Sequence, residues 1–395
     1  MILRPMYLEK IKPMMDTEFI KVITGSRRSG KSYLLMMIQQ LLKDKGVAND
    51  QIIYLNFENP EHYSLLDFES LYAYLKERVE DRKKSYFLFD EIQEVKDWQR
   101  LINGLRVAFD CDIYLTGSNA SLLSGELATY LTGRFVEVKV YPLGFKEFLL
   151  FQNKEEFQSE RYFKEYFEYG GFPSVVLQNS QPLKKDVLHG IYNSILFRDV
   201  ATRAMIKEPE LLERISHFLL DNIGQLVTTN KIANTIRSTG RKVSNNTIES
   251  YLGLLESSFL FYKVKRYDIR GKEYLSSQAK YYVVDLGFVI SQLIKTTSNR
   301  GARIENLVFL ELKRRGYDAF VGNYNNKEID FVAINSQETL YIQVTAELPH
   351  ESTRETDNLL HLPTGHKKLV VTSSWNDVGE IEGIPIVHIN DFLLN

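Results

Sequence analysis

The sequence is poor in the features that mark secreted and membrane proteins. A single cysteine, Cys111, occurs in 395 residues, so no disulfide can form within the chain, which favours a reducing compartment. No apolar run approaches the roughly 18 residues that cross a bilayer, and the start Met1-Ile2-Leu3-Arg4-Pro5 lacks the basic and apolar regions of a signal peptide. We therefore expect a cytoplasmic protein with no membrane partner.

A strong charge of one sign is also lacking. The net charge is −2, with 44% hydrophobic and 25% charged residues, which is ordinary for a soluble globular protein. The total charge therefore argues neither for nor against nucleic acid, and its distribution along the chain matters more. The length of 395 residues suggests two to four domains.

The most informative segment is Gly25-Ser26-Arg27-Arg28-Ser29-Gly30-Lys31-Ser32, which matches G-x-x-x-x-G-K-[ST] at every fixed position. A buried strand is predicted before it, over 19–24, and a helix after it, from Tyr33. In that geometry the backbone N–H groups of Gly25 through Tyr33 surround phosphate, and the helix N-terminus adds partial positive charge. Lys31 is expected to reach the β- and γ-phosphates, and the Ser32 hydroxyl to bind Mg²⁺.

A second signal for nucleotide chemistry is the pair Asp90-Glu91, which follows the apolar strand predicted over 86–89. Four apolar residues followed by two acids form the Walker B arrangement. Asp90 is expected to hold Mg²⁺ through water, and Glu91 to polarise the water that attacks the γ-phosphate. Together the two motifs predict an enzyme that hydrolyses a nucleoside triphosphate.

The base of that nucleotide is predicted from a motif that the sequence lacks. The guanine-specific pattern N-K-x-D does not occur, since Asn230-Lys231-Ile232-Ala233 fails at its last position and lies far from the phosphate-binding segment. Adenine is therefore favoured, and the predicted cofactors are ATP and Mg²⁺.

These segments together resemble a prokaryotic family of AAA-type P-loop ATPases whose members carry a C-terminal domain related to PD-(D/E)XK endonucleases. The likeness extends along the whole chain, through the segments 25–32, 87–93, 115–119, 133–135, 141–143, 170–173 and 196–200. It implies an α/β fold in which a parallel sheet lies between helices. In AAA-type ATPases a polar side chain at the end of one strand senses the γ-phosphate, a role open here to Ser118 or Asn119. Asn119 serves equally well as the N-cap of a helix from Ala120.

Arg134 has two interpretations. Its guanidinium would stabilise transition-state charge as an arginine finger, in its own subunit or in a neighbouring copy of a homo-oligomer. Alternatively it pairs with a carboxylate and has a structural role. The sequence does not decide between them.

The middle of the chain is predicted to be helical. Aromatic residues at helical spacing favour a lid over 143–208. Three short helices over 211–222, 230–237 and 244–257, followed by a hairpin, are typical of a winged helix over 209–285.

Positive charge is concentrated in that predicted winged helix. Residues 229–282 contain ten Lys or Arg and four acids, although the whole chain is slightly negative. We therefore predict DNA contact through Arg241, Lys242, Arg270 and Lys272. The alternative is a winged helix that only packs against neighbours or binds a protein partner.

The C-terminal segment, 286–395, has the helix-then-strands order of the endonuclease-like core. Glu305 on the helix and Asp330 on a strand match that pattern, but Gln343 replaces the second strand acid and Thr345 replaces the lysine. An amide holds a hard dication less well than a carboxylate, and threonine supplies no cation to orient water. We therefore predict a degenerate, non-cleaving domain.

The predicted protein is thus an ATPase with a core over 1–142, a lid, a winged helix and a nuclease-like domain, acting on or regulated by DNA. The alternative is a nucleotide-controlled switch that recruits a protein.

Overall fold

The computed structural model describes residues 2–80, 83–120, 133–202, 204–271, 273–294, 300–348, 354–362 and 365–395. The chain forms two compact units. The first comprises Met1–Tyr141 with Ser257–Phe259, and the second comprises Pro142–Glu256 with Leu260–Asn395. Within the described residues, no helix has the length and apolar character needed to cross a membrane.

The first unit is built on a parallel five-stranded sheet. Its strands are β1 (Ile20–Thr24), β2 (Ile52–Asn56), β3 (Ser85–Asp90), β4 (Cys111–Gly117) and β5 (Phe135–Lys139). Their order is β2-β3-β4-β1-β5, and every neighbouring pair is parallel. The carboxyl ends of β1, β3 and β4 therefore meet at one edge of the sheet.

Helices cover both faces of this sheet. They are α1 (Pro5–Ile11), α2 (Lys31–Asp44), α3 (Phe68–Lys76) and α4 (Trp98–Ala108). Side chains alternate across β1, so Val22 joins the core beneath α3 and α4 while Ile23 joins the core beneath α1 and α2. Burial on both faces explains why these strands are almost continuously apolar.

The second unit begins with helices. They are α5 (Phe145–Phe151), α6 (Ser159–Tyr169), α7 (Pro173–Val176), α8 (Gln181–Asn193) with a π-helical continuation over Ser194–Thr202, α9 (Pro209–Asp221), α10 (Thr229–Ser238) and α11 (Asn245–Ser257). The aromatic residues of the predicted lid pack inside the core of this unit, where the ring of Phe145 contacts the rings of Phe163 and Tyr166.

The remainder of this unit is a mixed eight-stranded sheet with helices. In chain order these elements are β6 (Phe261–Asp268), β7 (Glu273–Val283), α12 (Gly287–Gln292), α13 (Arg300–Arg314), β8 (Asp318–Tyr324), β9 (Lys327–Ile334), β10 (Thr339–Thr345), α14 (Arg354–Leu360), β11 (Lys367–Thr372), β12 (Gly379–Ile381), β13 (Ile384–His388) and α15 (Ile389–Leu394).

The sheet order is β12-β13-β11-β10-β9-β8-β6-β7. The predicted hairpin of the winged helix is therefore not separate from the C-terminal strands, since β6 pairs in parallel with β8. A large apolar core includes residues from Leu143 to Leu393, and a smaller one includes Ile329 and Tyr341.

Candidate nucleotide site

The phosphate-binding segment lies at the carboxyl edge of the first sheet, between β1 and α2. Gly25 and Gly30 have φ of 145° and 105°, a region that favours glycine. A Cβ at Gly25 would lie 2.1 Å from the carbonyl oxygen of Val140. The loop and the residues after β5 therefore approach each other so closely that only glycine fits.

Lys31 begins α2 and is 4% exposed. Its ammonium donates to the carbonyls of Gly25 and Ser26, at 3.1 Å each, and lies 3.6 Å from Glu91 Oε1. The lysine and both loop carbonyls thus form one polar centre with the second Walker B acid.

Asp90 ends β3 and is fully buried. It accepts hydrogen bonds from the Ser32 and Thr116 hydroxyls and from the Asn56 amide at 3.1 Å. Burial raises the pKa of Asp90, against the lowering effect of both hydroxyls. The structure thus brings together the two residues predicted to hold Mg²⁺, Ser32 and Asp90.

Glu91 lies just beyond the strand in the left-handed region, with φ of 55°, a conformation that is uncommon for a residue with a side chain. Its N–H donates to Thr116 Oγ1 at 2.9 Å, and its carboxylate accepts from the Gln93 amide. Thr116, on β4, therefore contacts both acids of the pair.

Three buried hydroxyls at this edge fit a polar ligand. The hydroxyls of Ser26, Ser29 and Ser118 have no hydrogen-bond partner among the described residues. Buried polar groups in proteins are normally paired, so these serine hydroxyls are suited to phosphate oxygens. The oxygen donors of Ser32 and Asp90 are the type that Mg²⁺ prefers.

The other predicted residues of the loop differ in surroundings. Arg27 forms an ion pair with Glu58 at 2.9 Å, Arg28 has φ of 62°, and the Tyr33 side chain is 61% exposed. Asn119 is half-buried after β4, and the helix predicted from Ala120 lies mainly outside the described residues.

Arg134 lies at the opposite edge of the sheet from the phosphate-binding loop. Its carbonyl accepts from the N–H of Ile20, at the start of β1. The five residues of β1 span about 16 Å at roughly 3.3 Å each, which is beyond the reach of an arginine. The structure therefore does not bring Arg134 to the loop of its own chain, and an action across subunits stays a prediction.

The predicted nuclease-like residues surround a lysine that the sequence pattern does not assign to this site. Lys280, on β7, is 2% exposed, and its ammonium lies 2.7 Å from Glu305, 2.8 Å from Glu328 and 3.3 Å from Asp330. Although burial opposes its charge, these carboxylates raise the pKa of Lys280. Burial raises the pKa of Glu305 to about 7.

Two residues depart from the endonuclease pattern. Gln343 lies beside this cluster, and Thr345 forms its hydrogen bond away from it. Gln343 Oε1 accepts from the N–H of Asp330 at 3.4 Å, and the Thr345 hydroxyl donates to the Glu347 carbonyl at 2.8 Å. In the part of the chain that the structure describes, no group of three His, Cys, Asp or Glu side chains is arranged to hold a metal ion.

The predicted DNA-contact residues are only partly available. Arg241 forms an ion pair with Glu208 and lies 3.8 Å from Glu210, whereas Lys242 and Arg270 are exposed. Lys272 lies outside the described residues.

Comparison with known proteins agrees with the fold of the first unit. Residues 17–149 match the family model described as an AAA domain, and residues 160–299 match a domain of unknown function, DUF8612. The fold is similar to that of the Walker-type ATPase PABY2304 of Pyrococcus abyssi, with a TM-score of 0.50 and 15% identity, covering 74% of this chain and 96% of that chain. The chain thus contains an AAA-type domain with a P-loop ATPase fold.

Two relatives show the family of the whole chain. An uncharacterised protein of Haemophilus influenzae is 49% identical, covering 100% of this chain and 99% of the relative. An uncharacterised protein of Methanocaldococcus jannaschii is 33% identical, covering 85% of this chain and 76% of the relative. The chain belongs to the same protein family as these two.

Proposed function

We propose that the protein binds and hydrolyses ATP in a Mg²⁺-dependent reaction. The observation that supports this best is the convergence of Lys31, Glu91 and Asp90 at one edge of the sheet, with Thr116 hydrogen-bonded to both acids. These are the charges that phosphoryl transfer requires: a cation for the phosphates and carboxylates for the metal and the attacking water.

Each residue has a role in this proposal. The Lys31 ammonium exchanges the carbonyls of Gly25 and Ser26 for phosphate oxygens when nucleotide binds. Ser32 and Asp90 would hold Mg²⁺, which would neutralise phosphate charge. Glu91 orients the attacking water, and the hydrogen bond from Gln93 fixes its carboxylate.

Nucleotide binding and phosphate release test the proposal in Lys31→Ala and Glu91→Gln. Lys31→Ala is expected to weaken ATP binding by about 100-fold or more, because the phosphates lose their cation. Glu91→Gln is expected to keep ATP affinity within about threefold and lose turnover by about 100-fold or more.

Matched controls are Lys43→Ala and Glu69→Gln, which change exposed residues of the same unit and are expected to behave as wild type. Unchanged turnover in Glu91→Gln would disprove the catalytic assignment. A wild-type protein that binds neither ATP nor ADP would overturn the whole proposal. Competition by GTP as strong as that by ATP would contradict the preference for adenine.

We also propose that the second unit does not cleave nucleic acid. The supporting observation is the position of Lys280, whose buried ammonium already neutralises part of the charge of Glu305, Glu328 and Asp330. A divalent ion would compete with this tethered cation for the same oxygens. Metal-dependent nicking of DNA, abolished by Asp330→Ala, would contradict this.

A further inference from the structure

Arg4 is a buried residue that contacts the phosphate-binding loop, although it lies far from it in sequence. Its side chain is 2% exposed. One guanidinium nitrogen donates to the carbonyl of Ser29 at 2.9 Å and another donates to the carbonyl of Tyr141 at 3.0 Å. The Tyr7 ring lies beneath the guanidinium, 4.5 Å from Cζ. Arg4 therefore joins the loop to the residue that follows Val140.

The backbone of Tyr141 is held on both sides. Its carbonyl accepts from Arg4, and its N–H donates to the Tyr7 hydroxyl at 3.0 Å. The preceding residue, Val140, donates its N–H to the Thr24 carbonyl at 2.7 Å. Since the Val140 carbonyl also lies against Gly25, Val140 contacts the start of the loop directly, and Tyr141 is connected to Ser29 through Arg4.

Tyr141 is the last residue of the first unit before the chain enters the second at Pro142. The chain returns to the first unit for Ser257–Phe259, and there the Lys139 ammonium lies 5.2 Å from the centre of the Phe259 ring. Residues 139–141 thus form one of the segments by which the chain leaves the first unit, and Lys139 contacts the other.

We propose that Arg4 is a positioning residue that transmits the nucleotide state of the loop to Tyr141 and so to the start of the second unit. The proposal rests on the proposed function, since nucleotide must bind at the loop. When Lys31 releases the carbonyls of Gly25 and Ser26 to bind phosphate, the loop adjusts its backbone. The Ser29 carbonyl is hydrogen-bonded to Arg4, so that adjustment moves or loosens the contact with Tyr141.

Amide hydrogen exchange, with and without a saturating non-hydrolysable ATP analogue, tests the relay. The amides of Tyr141 and Leu143 are the reporters, because Tyr141 donates to Tyr7, and Leu143 donates to the Gly171 carbonyl at 2.7 Å inside the second unit. In wild type, nucleotide is expected to change exchange at both amides by about threefold or more. Fluorescent-nucleotide affinity is measured in parallel.

Three variants separate the parts of the relay. Tyr7→Phe keeps the ring under Arg4 and removes the hydroxyl that accepts from the Tyr141 N–H, so ATP affinity is expected to stay within about twofold and the nucleotide-dependent exchange to be lost. Arg4→Gln is expected to weaken ATP binding by about 5- to 30-fold and to lose the exchange response even at saturation. Arg4→Lys, which can keep one of the two hydrogen bonds, is expected to fall between Arg4→Gln and wild type.

Lys12→Gln is the control, because Lys12 is 44% exposed and pairs with the nearby Glu9 at 2.6 Å. A nucleotide response in Arg4→Gln and Tyr7→Phe equal to that of wild type overturns the relay. Absence of nucleotide binding in wild type is a different outcome and overturns the proposed function instead. If Arg4→Gln fails to fold, Tyr7→Phe and Arg4→Lys still decide the question.

Discussion

Thr116 shows how one small side chain can organise the acids of the candidate nucleotide site. Its hydroxyl donates to Asp90 and accepts from the N–H of Glu91. It therefore fixes the carboxylate expected to hold metal and supports the left-handed backbone from which Glu91 projects. A threonine hydroxyl suits both tasks because it donates one hydrogen bond while it accepts another.

Thr116→Val is expected to lower the rate of ATP hydrolysis by about 10- to 100-fold, the range typical of residues that orient metal ligands. ATP affinity should change less, because Thr116 lies on the acids and not on the loop. The measurement is steady-state phosphate release with ATP titration.

Ser118→Ala is the informative comparison for Thr116→Val. The Ser118 hydroxyl is buried without a partner among the described residues, so its loss leaves the acid pair intact. If Ser118→Ala lowers turnover more than Thr116→Val does, Ser118 contributes more to hydrolysis than the contacts of Thr116 with the acids, which would contradict the role we give to Thr116.

For individual residues, the sequence predicts a role when the residue belongs to a motif. Gly25, Lys31, Asp90 and Glu91 follow from local patterns whose chemistry requires them. The contact of Thr116 with both acids was not predicted, and the expected role of Ser118 or Asn119 as γ-phosphate sensor stays a prediction. No local pattern tells which residue of β4 faces Asp90, since that depends on how strands distant in sequence pair.

Among the connections between elements, the turn at Gly170-Gly171 has a conformation that close packing requires. Gly170 directly follows α6 and has φ of 72° and ψ of −159°, a conformation that is almost exclusive to glycine. A Cβ there would lie 1.6 Å from Asp285 Oδ1. Asp285 is buried and accepts from the N–H groups of Gly171 and Gly287 at 2.7 and 2.8 Å, so it ties α6 to the start of α12.

Gly170→Ala is expected to lower the free energy of unfolding by more than about 3 kcal/mol, because both the backbone conformation and the space exclude a side chain. Urea denaturation measures this. The control is Gly190→Ala, at an exposed helical position of α8 where a Cβ meets nothing within 4 Å. That change is expected to stabilise by about 0.5–1 kcal/mol. Equal effects of the two substitutions would contradict the packing explanation.

The elements themselves were largely predictable, and their long-range pairing was not. The strand predicted over 19–24 is β1, Ile20–Thr24. The helices predicted over 211–222, 230–237 and 244–257 are α9 (Pro209–Asp221), α10 (Thr229–Ser238) and α11 (Asn245–Ser257). The hairpin of β6 and β7 was expected as the wing of a separate domain. It instead continues the C-terminal sheet through β8, because pairing between segments about fifty residues apart leaves no local signal.

The cluster around Lys280 also holds elements together, since it connects β7 with α13 and β9. Lys280→Ala is expected to lower the free energy of unfolding by about 3–5 kcal/mol, because three carboxylates lose their buried cation. Millimolar Mn²⁺ or Ca²⁺ should then raise the melting temperature of this variant more than that of wild type, because a dication can replace the ammonium.

Lys313→Ala is the matched control for Lys280→Ala. Lys313 pairs with Asp318, which is 77% exposed, so its loss is expected to cost about 1 kcal/mol or less. Two variants of equal stability would show that the buried cluster contributes no more than a surface pair. A metal response in wild type equal to that of Lys280→Ala would show that the ammonium does not exclude the dication.

In the whole molecule, the positive charge between residues 229 and 282 is less available at the surface than the sequence suggests. Of the ten Lys and Arg residues between 229 and 282, Lys280 is buried among acids, Arg266 donates to Gln278 and Asn323, and Arg237 donates to the Val243 carbonyl. Counting residues cannot separate a buried cation such as Lys280, or cations held by hydrogen bonds such as Arg266 and Arg237, from exposed ones such as Lys242 and Arg270. The exposed residues are those that remain suited to phosphate contact.

DNA binding is therefore expected to be weak and strongly dependent on salt. Replacing Arg241, Lys242, Arg270 and Lys272 with alanine should reduce the slope of log K against log salt by about 1 for each DNA phosphate that the protein no longer neutralises. Fluorescence anisotropy of labelled duplex, branched and single-stranded DNA between about 50 and 200 mM salt measures this slope. The ATPase rate is measured with and without each DNA.

A control with the same loss of charge replaces Lys10, Lys12, Lys43 and Lys76, which are exposed in the first unit. If this control weakens DNA binding as much as the first set, the binding reflects total charge and not the predicted surface. Retention by DNA together with DNA-stimulated turnover would favour a protein that acts on DNA. No retention at about 50 mM salt, with a partner affinity or oligomeric state that changes with nucleotide, would instead favour the switch, because the energy of ATP would then serve only to change conformation.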